Sequence, residues 1–309
     1  MSTNFDLFYD IVDEACMLLY EELNLNYVDC LIRASSDILD HIDDSRLDIK
    51  KVDQLEKIYA KLDGHTFSNE DIRLAFNLLL IKAFKHANYP LDIIIPDSVA
   101  LIFAYIIRKF YEKYRMINML EVDAKTANLT NTIANFIDID TYCFAQEEDN
   151  KLANLLKASS NLQDRNIVVY NNKILDPLEV NVDLVIGHLA SKVEDNKYIP
   201  YKAISKLMRY LEEDGIFVFL IDNDFFSYPD LQEFKSSFTG TLLGLLILPE
   251  TMFKSSITKS ILIGSKKQIA DFEMLVANIP SLNDTTKLND MMKRIESWAS
   301  DLALIINKD

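Results

Sequence analysis

Glycine is nearly missing from this chain. Six occur among 309 residues, where ordinary usage of ~7% would supply roughly twenty. They are Gly64, Gly187, Gly215, Gly240, Gly244 and Gly264, so no Gly-x-Gly occurs anywhere. That excludes the phosphate-cradling loop, the dinucleotide fingerprint and the nucleophile elbow, which need backbone without Cβ at close spacing. Cysteine is scarce too. Cys16, Cys30 and Cys143 are scattered in apolar surroundings, the pattern of reduced core thiols in a cytoplasmic protein. The four histidines, His41, His65, His86 and His188, lack metal-ligand spacing, and no metal is expected. No basic-then-apolar leader opens the chain, and no membrane-length apolar run is free of charge, so no membrane association is expected.

Positive charge is also in deficit. Thirty-two basic against forty-eight acidic residues give a net charge of −16, and residues 1–95 alone hold eighteen acids and nine bases. A duplex carries one phosphate charge per ~1.7 Å, and gripping it takes clustered Lys and Arg. Nucleic acid is therefore disfavoured as a partner, leaving a protein or a small molecule. The one basic cluster, Arg108, Lys109, Lys113 and Arg115, ends a predicted helix, where cations complement the macrodipole. The chain is nevertheless 49% hydrophobic and 26% charged, an ordinary globular composition.

What is present reads in two grammars. Phe8, Ile11, Val12, Ala15, Leu18, Leu19 and Leu23 recur at helical spacing, with acids mainly between them. Helices are predicted over 27–42 and 51–62, and Ser68-Asn-Glu-Asp71 forms a capping-box start for one over 72–86. This predicts an acidic four-helix bundle domain over 1–90. Pro90 and Pro96 then break the pattern, and Asp97-Ser98 caps a helix to about Tyr114. From there short apolar runs alternate with helices. Strands are predicted over 116–122, 141–145, 166–170, 182–186 and 216–221, with helices over 128–137, 148–160 and 201–211. Such alternation argues a mostly parallel sheet covered on both faces. Runs 241–248 and 259–264 close it as an antiparallel hairpin. Gly187 and Gly215 are expected at turns around the sheet. An α/β domain over 91–268 and a helical tail over 269–309, carrying the lone Trp298, complete the organisation.

In an open α/β sheet the ligand site lies beyond the carboxyl ends of the strands. The segments there are 123–128, 146–149, 171–172, 187–191 and 222–224. Their order, with Ile95-Pro-Asp-Ser-Val99 before the long helix, Met119-Leu-Glu-Val-Asp-Ala-Lys-Thr-Ala-Asn-Leu129 and Val182-Asp-Leu-Val-Ile-Gly-His-Leu-Ala190, resembles a known family. So do Leu211-Glu-Glu-Asp-Gly-Ile-Phe-Val-Phe-Leu-Ile221 and Leu248-Pro-Glu-Thr-Met-Phe253 followed by Lys259-Ser-Ile-Leu-Ile263. Residues from about Ile95 to Lys267 resemble class I S-adenosylmethionine-dependent methyltransferases, specifically small adenine-N6 DNA methylases with a helical N-terminal domain. The resemblance implies a Rossmann-like methyltransferase fold, S-adenosylmethionine as cofactor, and DNA as partner.

The family's functional motifs are where the sequence departs. The loop after the first strand has the approximate form Asp-Pro-x-x-Gly-x-Gly-Asn, and here Glu121 stands for the acid while Lys125 and Ala127 stand for the glycines. A Lys at that position places a long cation into or over the pocket for the cofactor's methionine end. Asp123, Thr126 and Asn128 remain as cofactor candidates on this loop. The family's Thr-Pro pair is Ile95-Pro96, keeping Pro96 but losing the hydroxyl. Glu147 is the candidate for the ribose-binding acid, and Asn172 for the residue that meets the adenine amine. The catalytic motif, an Asp or Asn, two residues and then an aromatic that stacks on a flipped base, aligns with His188-Leu-Ala-Ser191. His188 and Ser191 are the candidate catalytic residues. Phe225-Phe226 reads as buried packing, and Asp222 and Asp224 as a solvated loop. The resemblance thus implies a methyltransferase fold that has lost catalysis and serves as a binding or scaffold module. The alternative is an active methyltransferase using Asn128, Glu147 or Asn172 for the cofactor and His188 near the substrate.

Overall fold

The computed structural model describes residues 3–40, 42, 45–253, 257–270 and 272–306; His41 lies outside them. The acidic N-terminal region is helical: α1 (Asn4–Leu23), α2 (Tyr27–Leu39), α3 (Ile49–Tyr59) and α4 (Asn69–Ala87). Each of the four starts on a short polar cap, which satisfies amides that have no partner within the helix. Ser68 and Asp71 form the reciprocal box, with the Asp71 amide donating to Ser68 Oγ at 3.1 Å and the Ser68 amide to Asp71 at 2.9 Å. The apolar stripes of the helices, including Val12, Leu19, Leu31 and Phe76, converge on one buried cluster.

The α/β part follows as α5 (Asp97–Phe110), β1 (Met116–Val122), α6 (Asn128–Phe136), β2 (Asp140–Gln146), α7 (Asn150–Leu162) and β3 (Ile167–Tyr170). Then come β4 (Val182–Leu189), a small hairpin of β5 (Val193–Glu194) and β6 (Lys197–Tyr198), α8 (Ile199–Leu207) and β7 (Leu211–Asp222). The chain ends with α9 (Leu231–Ser237), β8 (Thr241–Ile247), β9 (Lys259–Ser265), β10 (Leu275–Asn278) and α10 (Thr285–Ile306). The main sheet has the order β10-β8-β9-β7-β4-β1-β2-β3. Pairing from β7 through β3 is parallel, and β9 runs antiparallel to both β7 and β8. This is the class I methyltransferase fold, with the strand order reversing between β1 and β4.

One sheet face packs α5, α6 and α10; the other packs α8 and α9. Helix α7 joins the two regions, turning Leu156 to the sheet and Leu152, Leu155, Ala158 and Leu162 to the helical bundle. Several sequence expectations need correction. The helix predicted to reach Tyr114 stops at Phe110. The tail is not helical throughout: Leu275 and Ala277 point inward and Val276 and Asn278 outward, so β10 extends the sheet alongside β8. Gly187 and Gly215 lie inside β4 and β7 and not at turns. Gly187 is needed for close approach, since a Cβ there would meet the Val122 carbonyl oxygen at 2.5 Å. Strand β4 also runs past 186 to Leu189, which puts His188 on a strand with a defined face.

Candidate functional site

The loop after β1 takes the left-handed backbone that glycine favours, at residues that carry a Cβ. Asp123, Lys125 and Ala127 adopt φ of +51°, +51° and +55°, left-handed geometry that costs a residue with a Cβ about 1 kcal/mol or more. The surroundings hold it there. The Lys125 amide donates to Glu147 Oε2 at 2.8 Å, and its ammonium lies 2.5 Å from Asp123 Oδ1 and 4.0 Å from Glu147 Oε2. Burial opposes the Lys125 charge, yet the Asp123 and Glu147 carboxylates raise its pKa. Glu147 spends its other oxygen on the Asp149 amide at 2.9 Å. Both its oxygens thus serve the loops, and the cavity beside it is lined by Gln146 and Glu148 instead. Thr126 is buried in the same turn.

Glu121 sits beneath this loop, 2% exposed, and accepts the Thr130 amide at 3.1 Å. Burial raises its pKa to about 8, against the pull of the Thr130 hydrogen bonds. It is therefore a neutral acid at neutral pH. Asn128 is also buried. Its side-chain nitrogen donates to the carbonyl of Ile95, beside Pro96, at 2.9 Å; its oxygen accepts from Arg73 at 2.8 Å and Asn77 at 2.7 Å. Arg73 also holds Asp97 at 2.8 Å and Glu70 at 2.6 Å. One buried guanidinium of α4 thus ties the helical bundle to the candidate site. Asn172 accepts from Gln146 Nε2 at 2.8 Å, joining the ends of β2 and β3.

The end of β4 holds a cluster that sequence reasoning missed. Lys259 opens β9 directly opposite Asp222, the last residue of β7. Their side chains are 8% and 7% exposed and pair at 2.5 Å. On the adjacent β4, His188 Nε2 lies 3.0 Å from the Lys259 ammonium. Burial and the Lys259 charge lower the His188 pKa to about 3, so the ring is neutral and its Nε2 accepts. Burial works against the Asp222 charge, but hydrogen bonds from Lys259 and the Ser191 amide keep its pKa below the usual range. Asp222 is accordingly a buried structural anion and not part of a solvated loop. Ser191 is pinned by three partners: its amide reaches Asp222 at 2.7 Å, and its hydroxyl reaches Asp224 at 2.8 Å and Tyr198 at 2.9 Å. Phe225 is fully buried.

Three spaces meet at His188. A cavity of about 330 Å³ lies over the ends of β2, β3 and β4, lined by Asp123, Lys125, Gln146, Asn172 and Ser191 among others. An apolar cavity of about 390 Å³ lies between α4 and the sheet, with His188 and Lys259 in its wall. Between them, over the glycine-like loop, only about 10 Å³ remains, roughly the space of one water. Among the described residues, no group of three or more His, Cys, Asp and Glu is placed to hold a metal ion, and no helix is long and apolar enough to cross a membrane.

Comparison with known proteins matches this geometry at the level of the fold. Residues 6–84 match the YtxK N-terminal helical domain family. Over 315 aligned positions the chain is 25% identical to the uncharacterised protein YtxK of Bacillus subtilis, covering 94% of this chain and 96% of that one. A crystal structure from Listeria monocytogenes, of a proposed class I S-adenosylmethionine-dependent methyltransferase, superposes with a TM-score of 0.85 at 26% identity, covering 96% of this chain and 99% of that one. The methyltransferase subunit of a type I restriction-modification system from Streptococcus thermophilus shares the fold, at 10% identity and TM-score 0.56, over 96% and 94% of the two chains.

Proposed function

We propose that this chain is a methyltransferase-fold binding protein that transfers no methyl group and does not hold S-adenosylmethionine in the manner of its fold family. The observation that carries this reading is the filled loop after β1. Where the cofactor's methionine end would lie, the Lys125 side chain is clasped to Asp123 and Glu147, and about 10 Å³ is left. The residues present do not fit that end of the cofactor. The end of β4 supports the same reading. A target amine needs hydrogen-bond acceptors, but His188 Nε2 already accepts from Lys259, and the other nitrogen of a neutral ring carries the hydrogen. DNA is a poor partner for a chain of charge −16.

Calorimetric titration of the full chain with S-adenosylmethionine tests the proposal. No binding below the millimolar range is expected, and a micromolar Kd overturns it. A second reading, an active N-methyltransferase with altered cofactor contacts, draws on the 330 Å³ cavity beside Asp123 and Asn172. Methyl transfer from labelled donor to any co-purifying acceptor would establish that reading instead.

A further inference from the structure

Helix α4 is apolar on two faces, and only one of them is packed. Phe76, Leu79, Leu80 and Ala83 fill the core of the helical bundle. Leu74, Leu78 and Ile81, spaced i, i+4 and i+7 along another face, join none of the buried clusters of the described residues. They line the cavity of about 390 Å³ instead, together with Ile94, Leu220 and Phe253. Apolar surface left facing open space is surface that a ligand would remove from water. The polar lining decides which ligand: Asn77, Asp92, Asp97, His188 and Lys259. Asp222 cancels the Lys259 charge at 2.5 Å, and the His188 ring is neutral. Asp97 Oδ1 accepts from Arg73 at 2.8 Å, Asn77 at 3.2 Å and Asn128 at 3.3 Å, whereas Oδ2 has no partner among the described residues. Arg73 also serves Glu70, so two carboxylates share one guanidinium and a negative charge is left over. Asp92 is exposed and adds another. The cavity is therefore apolar, with an excess of negative charge and one open carboxylate oxygen.

We propose that this cavity binds a medium-length primary alkylamine, with its chain along Leu74, Leu78 and Ile81 and its ammonium on the Asp97 carboxylate. A volume of about 390 Å³ falls within the range of small-molecule sites, which are mainly apolar with a few placed polar groups. Asp97 is bonded to Arg73 and Asn77, which sets it beside the Leu74 end of the stripe. From there to Ile81 the helix rises about 10 Å, a span that an extended eight-carbon chain covers. An anionic ligand would meet like charge at the same place. The inference goes beyond the loss of methyl transfer. Neither Asp97 nor the α4 stripe belongs to the loop after β1, so the amine site and the cofactor reading fail separately.

The test is calorimetric titration of the full chain at neutral pH with octylamine, octanol, octanoate and butylamine. Octylamine should bind as a single saturable equivalent. Octanoate should bind at least about tenfold more weakly, because the exchange turns an attraction at Asp97 into a repulsion. Octanol, which donates a hydrogen bond without a charge, should fall between them. Each methylene removed between octylamine and butylamine should weaken binding about fourfold. Asp97→Asn keeps an acceptor for Arg73 and puts a donor in place of the open oxygen. It should narrow the gap between octylamine and octanoate to about threefold or less, a change of selectivity that misfolding does not produce. Leu78→Trp, filling the cavity from its exposed side, should abolish the single equivalent. The amine site is overturned if octylamine fails to bind, if octanoate binds equally well, or if chain length has no effect. It is overturned too if octylamine binds in several equivalents that Leu78→Trp leaves unchanged, the mark of a general attraction to an acidic chain. The ligand series needs no variant, so a misfolded mutant does not rescue the idea. Binding of S-adenosylmethionine would instead overturn the reading of a lost methyl-donor site and leave the amine site standing.

Discussion

Glu121→Gln isolates the cost of keeping a carboxyl group buried under the β1 loop. In the fold this acid has a pKa of about 8, against an ordinary 4.5, because burial outweighs the Thr130 hydrogen bonds. The folded state therefore binds a proton that the unfolded chain has released. Wherever the folded state holds more protons, stability falls as pH rises. The contribution is fully present below about pH 4.5 and is lost by about pH 8. At 1.36 kcal/mol per pH unit the full span amounts to ~5 kcal/mol, and ~3 kcal/mol is gone by about pH 7. Glutamine keeps an oxygen for the Thr130 amide and has no proton to lose. Urea unfolding of both proteins, at several values from about pH 5 to pH 8.5, reads the effect as a difference of midpoints. The two should agree within about 1 kcal/mol near pH 5, and the variant should become the more stable by several kcal/mol near pH 8.5. Asp183 is also raised by burial and His188 is lowered, but they shape both curves alike; the Glu147 charge, which helps raise Glu121, acts in the same direction as the burial. A difference independent of pH, or one that grows toward acid, would refute the reasoning.

Arg73→Met should cost ~2–3 kcal/mol in urea unfolding. Breaking a buried ion pair typically costs ~3–5 kcal/mol, but Asp97 and Glu70 are 41% and 32% exposed and can regain water. An unchanged midpoint would remove the guanidinium from its role as the tie between bundle and site. Removing the exposed Lys57–Asp53 pair, 73% and 58% exposed, should change nothing measurable and serves as the control. Lys259→Met should cost ~3–5 kcal/mol by stranding Asp222, and adding Asp222→Asn should recover part of that; a double variant as unstable as the single would show that the pair itself is not the cause.

The sheet was readable because its strands are short apolar runs separated by helices with polar starts. The segment 216–221 carries enough β-branched and aromatic residues to stand alone. The final strand was hidden: four residues with two inward side chains hold too little pattern to compete with the helical spacing that follows. On the site, the sequence reached His188 and Ser191 but placed His188 beyond the strand end, whereas it lies within β4, and it passed over Lys259 and Arg73. Both left a trace. Lys259 opens an apolar strand and Arg73 stands in an apolar stretch of helix, and a long cation in such a place needs a buried partner. The identity of that partner was out of reach. Asp222 lies 37 positions from Lys259 and Asn128 lies 55 from Arg73.

The sequence by itself determined the helical grammar of the first region, the strand–helix alternation after it, and the absence of glycine from the loop after β1. Those features are local: a cap, a period of two or 3.6, a missing Cβ-free position. Only the tertiary structure decided what occupies the space over that loop, where Lys125 pairs with Asp123 and Glu147. Sheet register set Lys259 against Asp222 and brought His188 beside them, and docking of α4 placed Arg73 on Asn128. Such pairings depend on which strands and helices become neighbours in space, and no local spacing in the chain encodes that.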